Sequence, residues 1–199
     1  MKPTKANLTI YQGATFRWPF YWYSETEVSK TISAVDTTYP TLLTVTSHGL
    51  PTSDVPVAIF GVASWINSKS TALADRIYAT KVDANTVSVK VNGIGQEEYS
   101  GTEGRLVYNS PVNLSSGWVA RMHIRESVDA ATVIQEFTDT DGQITLGSDG
   151  LVELVLTEAE TDLLDFSSGV YDLELESGAG EVVRIAEGKV TLKKQVTHD

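Results

Sequence analysis

An alternation of large aromatic side chains marks the N-terminal part of the chain, between residues 8 and 23. A β-strand sends successive side chains to opposite faces, so this stretch would place four aromatic side chains on one face: Phe16, Trp18, Phe20 and Trp22. The other face would carry Arg17, Pro19, Tyr21 and Tyr23. The pattern predicts a strand that is buried on both faces or lies in an interface. Pro19 has no N–H to donate, which predicts an edge position or a bulge.

The C-terminal half repeats the two-residue period several times. Residues 118–125 and 171–176 alternate apolar with polar or charged side chains, which predicts half-buried strands. Shorter apolar runs separated by turn residues predict further strands at 143–146, 151–156, 183–185 and 190–192. One short helix is predicted at Thr157, because Glu160 stands three positions later and completes a capping box.

The middle of the chain has its own series of short strands, predicted at 41–46, 55–60, 76–82 and 86–91. We interpret this segment as a separate module inserted into the main domain, because insertions succeed at exposed loops. The predicted fold is all-β: a β-sandwich host domain with an inserted small β-barrel-like module. The predicted boundaries are 1–30 plus 108–199 for the host domain and 31–107 for the insert.

Charge and composition narrow the classes of function. The chain has 199 residues, a formal net charge of −11 and no cysteine, which excludes disulfides, cysteine-based zinc sites and thiol catalysis. Between residues 126 and 188 there are sixteen acidic residues and one base, Arg184, so nucleic acid is not an expected partner. No signal peptide and no apolar run of the ~20 residues needed to cross a bilayer is visible, so no membrane partner is expected.

Several segments of the host domain, taken in order, resemble the N-terminal domain of phage baseplate upper proteins and related tail proteins. The resemblance covers a little over half of the chain and rests on residues 10–16, 113–125, 154–161, 170–175 and 184–190. The insert resembles the small β module known as the first catalytic cysteine half-domain of ubiquitin-activating enzymes, on residues 44–51, 57–62, 66–67 and 82–89. Because the chain has no cysteine, only the fold of that module is implied, and none of its chemistry.

The resemblance implies a structural virion protein, synthesised in the host cytoplasm, that acts as a tail or baseplate adaptor. The expected partners are other virion proteins in a homo-oligomer. Related proteins often carry receptor binding in a separate C-terminal region, and the end of this chain at Asp199 favours an adaptor role. The alternatives are a capsid decoration protein, a carbohydrate-binding module with an exposed aromatic platform, and a glycoside-processing enzyme.

No motif in the sequence predicts an enzyme or a cofactor. The three histidines, His48, His123 and His198, have no Gly-x-Ser-x-Gly elbow to accompany them, and we expect ordinary surface side chains. Paired carboxylates for glycoside hydrolysis need a defined spacing in a cleft, and the candidates (Glu153, Asp172 and Glu174) alternate as an outer face should.

Residues 139–142 resemble the opening of a calcium loop, but the glycine comes two positions early and no glutamate closes the loop. An acidic hairpin turn is the better interpretation, with a weak calcium site at Asp139, Asp141 and Asp149 as the alternative. No metal site is predicted. The candidate interface residues are instead aromatic: Tyr21, Tyr23, Trp22 and Trp18. Phe16, Trp18, Phe20 and Trp22 are expected to fill the sandwich core, which leaves Tyr21 and Tyr23 as the better candidates for a subunit contact.

Overall fold

A computed structural model of the protein describes residues 3–196. The chain is nearly all β and divides into two compact units, 1–22 with 112–199 and 23–111. The boundaries expected from the sequence, after residues 30 and 107, fall inside two long strands of the second unit, β4 (Tyr23–Asp36) and β9 (Tyr99–Pro111). Both strands belong wholly to the second unit.

Unit one is a β-sandwich of two sheets. The larger sheet has the order β1-β15-β14-β10-β11, with β2 also paired to β15, and the smaller has the order β12-β13-β3. The strands of the larger sheet are β1 (Thr4–Lys5), β2 (Leu8–Tyr11), β10 (Trp118–Arg125), β11 (Gln135–Thr138), β14 (Ser168–Ser177) and β15 (Val182–Lys193). Those of the smaller sheet are β3 (Phe16–Tyr21), β12 (Ile144–Leu146) and β13 (Leu151–Leu156).

The alternation along these strands builds the core of unit one. In β14 the side chains of Tyr171, Leu173 and Leu175 are buried, whereas Asp172 and Glu174 lie on the outer face, as predicted. Side chains from both sheets share one hydrophobic cluster, so the two inner faces pack against each other.

The single α-helix of residues 3–196, α1 (Glu158–Asp162), confirms the capping box. The Thr157 hydroxyl accepts a hydrogen bond from the backbone of Glu160 at 3.3 Å, and the Glu160 carboxylate accepts one from the backbone of Thr157 at 2.7 Å. The hydrogen bond from the Thr157 backbone is the main reason that the pKa of Glu160 is lowered. Two orphan N–H groups at the helix start are thereby satisfied.

Unit two is a closed barrel of six strands in the order β4-β5-β8-β7-β6-β9. The remaining strands are β5 (Thr41–Thr44), β6 (Val55–Phe60), β7 (Ile77–Lys81) and β8 (Thr86–Val89), each within a predicted segment. The long antiparallel pair of β4 and β9 closes the barrel around a core of its own. Closure leaves no sheet edge, which is how small barrels avoid edge-to-edge association.

Two features of unit one differ from expectation. The N-terminal strands β1 and β2 pair in parallel with β15 and were not predicted as separate strands of the larger sheet. The turn at residues 139–142 joins β11 in the larger sheet to β12 in the smaller one, so the expected hairpin turn there is wrong. The true hairpin in this region is β12 with β13, joined through residues 147–150.

Candidate binding surface

The aromatic strand β3 and Trp22, which follows it, place their aromatic rings against the core of unit one. Trp18 and Trp22 are partly buried against the hydrophobic cluster, together with Phe16 and Phe20. The Trp18 ring meets Tyr171 at a centroid distance of 5.9 Å and an angle of 78°. Edge-to-face pairs of this kind contribute about 0.5–1.5 kcal/mol beyond burial of area. The core interpretation of these four aromatic side chains agrees with the structure.

The other two candidate interface residues, both tyrosines, have different surroundings from the tryptophans. Tyr21 ends β3 and its side chain is 39% exposed. Tyr23 begins β4 and packs, partly buried, against the core of the barrel. Of the four candidates, Tyr21 alone is a large exposed side chain, and a subunit contact through it stays a prediction.

Pro19 lies in an edge strand, as its missing N–H predicted. β3 is the last strand of the three-stranded sheet, and Pro19 is the register partner of Glu153 in β13. The Arg17 guanidinium donates to the Glu153 carboxylate at 3.1 Å beside it. A proline in an edge strand interrupts the row of donors that a further strand would need, so β3 is a poor site for strand addition.

The outer face of the six-stranded sheet carries a row of charged side chains across five of its strands. Lys5 is the register partner of Glu187, Glu187 of Asp172, Asp172 of His123, and His123 of Glu136. The His123 Nε2 atom lies 2.8 Å from a carboxylate oxygen of Glu136. The alternation within β10 and β14 predicted their polar positions, whereas β1 and β11 were not predicted as strands, and the alignment of the five side chains into one row depends on register.

Two guanidinium groups, those of Arg184 and Arg121, form ion pairs with three carboxylates of this face. Arg184 lies 2.9 Å from the Asp172 carboxylate, 3.4 Å from Glu174 and 3.7 Å from Glu187. Arg121 approaches Glu174 from the neighbouring strand at 3.5 Å. The carboxylates that were candidates for hydrolytic chemistry here, Asp172 and Glu174, are thus engaged in ion pairs, and Glu153 lies in the other sheet with Arg17.

Four side chains of this row, with others of the same face, line a concave site of about 450 Å³. Four basic and two acidic side chains contribute to its lining: Lys5, Arg125, Arg184, Lys189, Asp172 and Glu187. Neither Lys5 nor Lys189 forms an ion pair with any residue of the described range. A net basic concavity therefore exists on a chain whose net charge is −11.

Arg125 also builds one wall of this site. Its Nη1 atom donates to the backbone oxygens of Ala130 and Ala131 at 2.8 and 2.6 Å. These bonds hold the loop between β10 and β11, which carries Val128 to the rim of the site with 83% of its side chain exposed. Val170 supplies a second apolar side chain to the lining. The site thus combines cationic and apolar groups.

Tyr171 links the floor of the site to the N-terminal segment. Its hydroxyl donates to the backbone oxygen of Ala6 at 2.8 Å, and its side chain is 4% exposed. Burial, with a smaller effect from the Glu187 carboxylate, raises the pKa of Tyr171 to about 12. The phenol is neutral at physiological pH and acts as a hydrogen-bond donor that fixes the link between β1 and β2.

The expectation of a surface side chain is wrong for His48, which is fully buried in the barrel unit. The Leu50 N–H donates to its Nδ1 atom at 2.9 Å, so its Nε2 carries the hydrogen and donates to the Asp83 backbone oxygen at 2.7 Å. The Tyr108 hydroxyl donates to the backbone oxygen of His48. These hydrogen bonds satisfy the polar atoms of His48, as a buried polar group requires. They also hold the loop after β5 in position.

Neither of the two described histidines hydrogen-bonds to a serine hydroxyl of residues 3–196, and His198 lies outside the described residues. Within the same range no group of three or more histidine and acidic side chains is placed to hold a metal ion. The three acids of the alternative calcium site each cap local structure: Asp139 accepts from Ala120 N–H, Asp141 from the Thr138 hydroxyl and Asp149 from Leu151 N–H.

Comparisons with known proteins do not indicate a family or a function for this chain. The sequence matches no protein-family model and no curated protein. Among solved structures, one match is SGBP-B of the Bacteroides ovatus mixed-linkage glucan utilization locus, in complex with a mixed-linkage heptasaccharide. The sequence identity is 10%, the match covers 96% of this chain and 67% of that one, and the TM-score is 0.24. A TM-score of this size supports no inference about fold or ligand. No helix between residues 3 and 196 has the length and apolar character to span a membrane.

Proposed function

We propose that this chain is a structural protein of a bacteriophage particle, an adaptor of the tail or baseplate that binds other virion proteins and forms a homo-oligomer. One observation carries the proposal. All the segments that resemble the baseplate upper protein domain, 10–16, 113–125, 154–161, 170–175 and 184–190, lie in unit one. All those that resemble the half-domain module, 44–51, 57–62, 66–67 and 82–89, lie in unit two. Each resemblance thus falls on one folded unit with its own core.

The carbohydrate-binding alternative requires aromatic rings on an open surface. Trp18 in β3 and Trp22 just after it lie partly buried against the core. The exposed large aromatic side chains of unit one, Tyr11 and Tyr21, are 62% and 39% exposed. This arrangement favours an assembly protein over a sugar platform on the aromatic strand.

The direct test is the protein composition of virus particles purified from the cells that carry this sequence. Mass spectrometry should detect the chain in the particles, and gold-labelled antibody should mark the end of the tail. Label on the head instead would support the capsid decoration alternative. Absence of the chain from purified particles would overturn the virion proposal.

The oligomer and the predicted contact through Tyr21 can be tested on the purified chain. Light scattering at several concentrations should give a multiple of the 21.6 kDa chain mass. We expect Tyr21→Glu to lower that mass, because a buried interface does not tolerate an unpaired charge. The matched control is Tyr11→Glu, which introduces the same charge at another exposed tyrosine of unit one. Equal masses for the two variants would exclude Tyr21 from the contact.

A further inference from the structure

We infer that the concave site on the outer face of the six-stranded sheet binds an acidic peptide segment of a partner protein. The inference goes beyond the proposed virion role and does not depend on it. The site lies wholly within unit one, so the purified chain is sufficient to test it.

The register of three strands defines the cationic part of the site. Lys189 in β15 is the partner of Val170 in β14, and Val170 is the partner of Arg125 in β10. Strands two places apart in a sheet are separated by about 10 Å. A carboxylate placed above Val170 would therefore lie between the ammonium of Lys189 and the guanidinium of Arg125. Both cations end long side chains that can reach this position.

The neighbouring row of register partners contributes a third cation, Lys5, which is available to a second acidic group of the peptide. Lys5 lies at the edge, as register partner of Glu187, and that carboxylate is already 3.7 Å from Arg184. Arg184 is also close to Asp172 and Glu174, so its one guanidinium offsets part of the negative charge of these carboxylates. The cations at the rim, Lys5 and Lys189, have no such partner among residues 3–196.

Size and apolar lining indicate a peptide over a small inorganic anion. A volume of about 450 Å³ is far larger than one phosphate requires and falls within the ordinary range of ligand pockets. Val128, 83% exposed at the rim, and Val170 offer contacts that a fully charged ion would not use. A segment in which acidic and apolar side chains alternate matches both properties. A nucleic acid would extend well beyond this site, and its phosphates would then face the rest of a chain whose net charge is −11.

Fluorescence anisotropy with two labelled eight-residue peptides tests the inference. One peptide alternates glutamate with leucine, and its matched control alternates glutamine with leucine. We expect saturable binding of the glutamate peptide, weakened by salt, and binding of the glutamine peptide that is at least about tenfold weaker. Equal affinity for the two peptides, or no saturable binding of the glutamate peptide, would overturn the inference.

Charge reversal then locates the binding. The double variant Lys5→Glu and Lys189→Glu should lower the affinity for the glutamate peptide by about tenfold or more, because two attractive charge pairs become repulsive. The control Lys193→Glu reverses one lysine charge on β15, outside the lining of the site. It should weaken binding by no more than about twofold. Both changes are at exposed positions, and circular dichroism verifies the fold. Similar losses in the two proteins would place the peptide elsewhere. Displacement of the peptide by inorganic phosphate at equally low concentration would show a small-anion site and would refute a peptide site.

Discussion

Tyr171 offers a quantitative test of how the N-terminal segment is held. Replacing it with phenylalanine removes one hydroxyl from a nearly fully buried position and breaks its hydrogen bond to the Ala6 backbone oxygen. Loss of such a bond costs about 1 kcal/mol of unfolding free energy. At neutral pH the variant should therefore be less stable than the natural protein by about that amount.

At alkaline pH the order of stability should reverse. The pKa of Tyr171 is about 12 in the folded protein, against about 10 in the unfolded chain. A raised folded-state pKa contributes stability that is fully present below pH 10 and is lost as the pH rises through 12. The loss amounts to about 2.7 kcal/mol, at about 1.4 kcal/mol for each pH unit between the two values. Phenylalanine does not ionise, so the two stability curves should cross near pH ~10.6, where this loss reaches ~1 kcal/mol.

The assay is urea denaturation between pH 7 and pH 12, followed by tryptophan fluorescence. Three of the four tryptophans, Trp18, Trp22 and Trp118, belong to unit one, and a Trp65→Phe background removes the fourth. Tyr11→Phe serves as the control, since that side chain is 62% exposed. Stability curves for natural protein and Tyr171→Phe that stay parallel up to pH 12 would refute the burial argument.

One further substitution in each unit, with its own control variant, tests a contact that holds that unit together. His48→Ala should cost the barrel about 2–4 kcal/mol in urea denaturation, because it leaves the buried Leu50 N–H and the Asp83 backbone oxygen without their side-chain partner and creates a void. His123→Ala, which removes an outer-face pair, should cost no more than about 1 kcal/mol, and equal losses would contradict the structural role of His48. Gly188→Ala would place a methyl group on the Ala6 backbone oxygen, so hydrogen exchange in residues 4–11 should accelerate. At Gly178 an added methyl meets nothing nearer than 3.6 Å, so Gly178→Ala should leave exchange in residues 4–11 unchanged, and matching behaviour of the two variants would rule out the steric explanation.

Local patterns predicted the elements in which one face is buried. The alternation in β14 and the capping box at Thr157 were correct because a two-residue period and a cap depend only on neighbouring residues. The long strands β4 and β9 escaped prediction for the opposite reason. β4 is mostly polar and half of its residues are exposed, so its few apolar side chains mark only a weak period, and pairing with β9 and β5 makes it a strand.

The candidate site depends on information that no single segment carries. Lys5, Arg125 and Lys189 come together because parallel pairing of β1 with β15 and antiparallel pairing of β14 with both neighbours set one register across the sheet. Sequence parity could have indicated that Arg125 shares the outer face of its strand with Arg121 and His123. The burial of His48 had no such signal, since it results from the folded path of a loop with left-handed residues at Ser47 and Gly49.

The ends of the barrel unit are neighbours in space. Tyr23 and Pro111 are register partners, and the Val112 N–H donates to the Trp22 backbone oxygen at 3.0 Å where the chain resumes unit one. A segment bounded in this way behaves as a cassette at the level of the gene. One in-frame deletion or exchange between these points leaves host ends close enough for a tight turn to join. We therefore expect that the barrel can be removed or replaced by recombination while the sandwich keeps its strand order, so that the two folded parts can change independently.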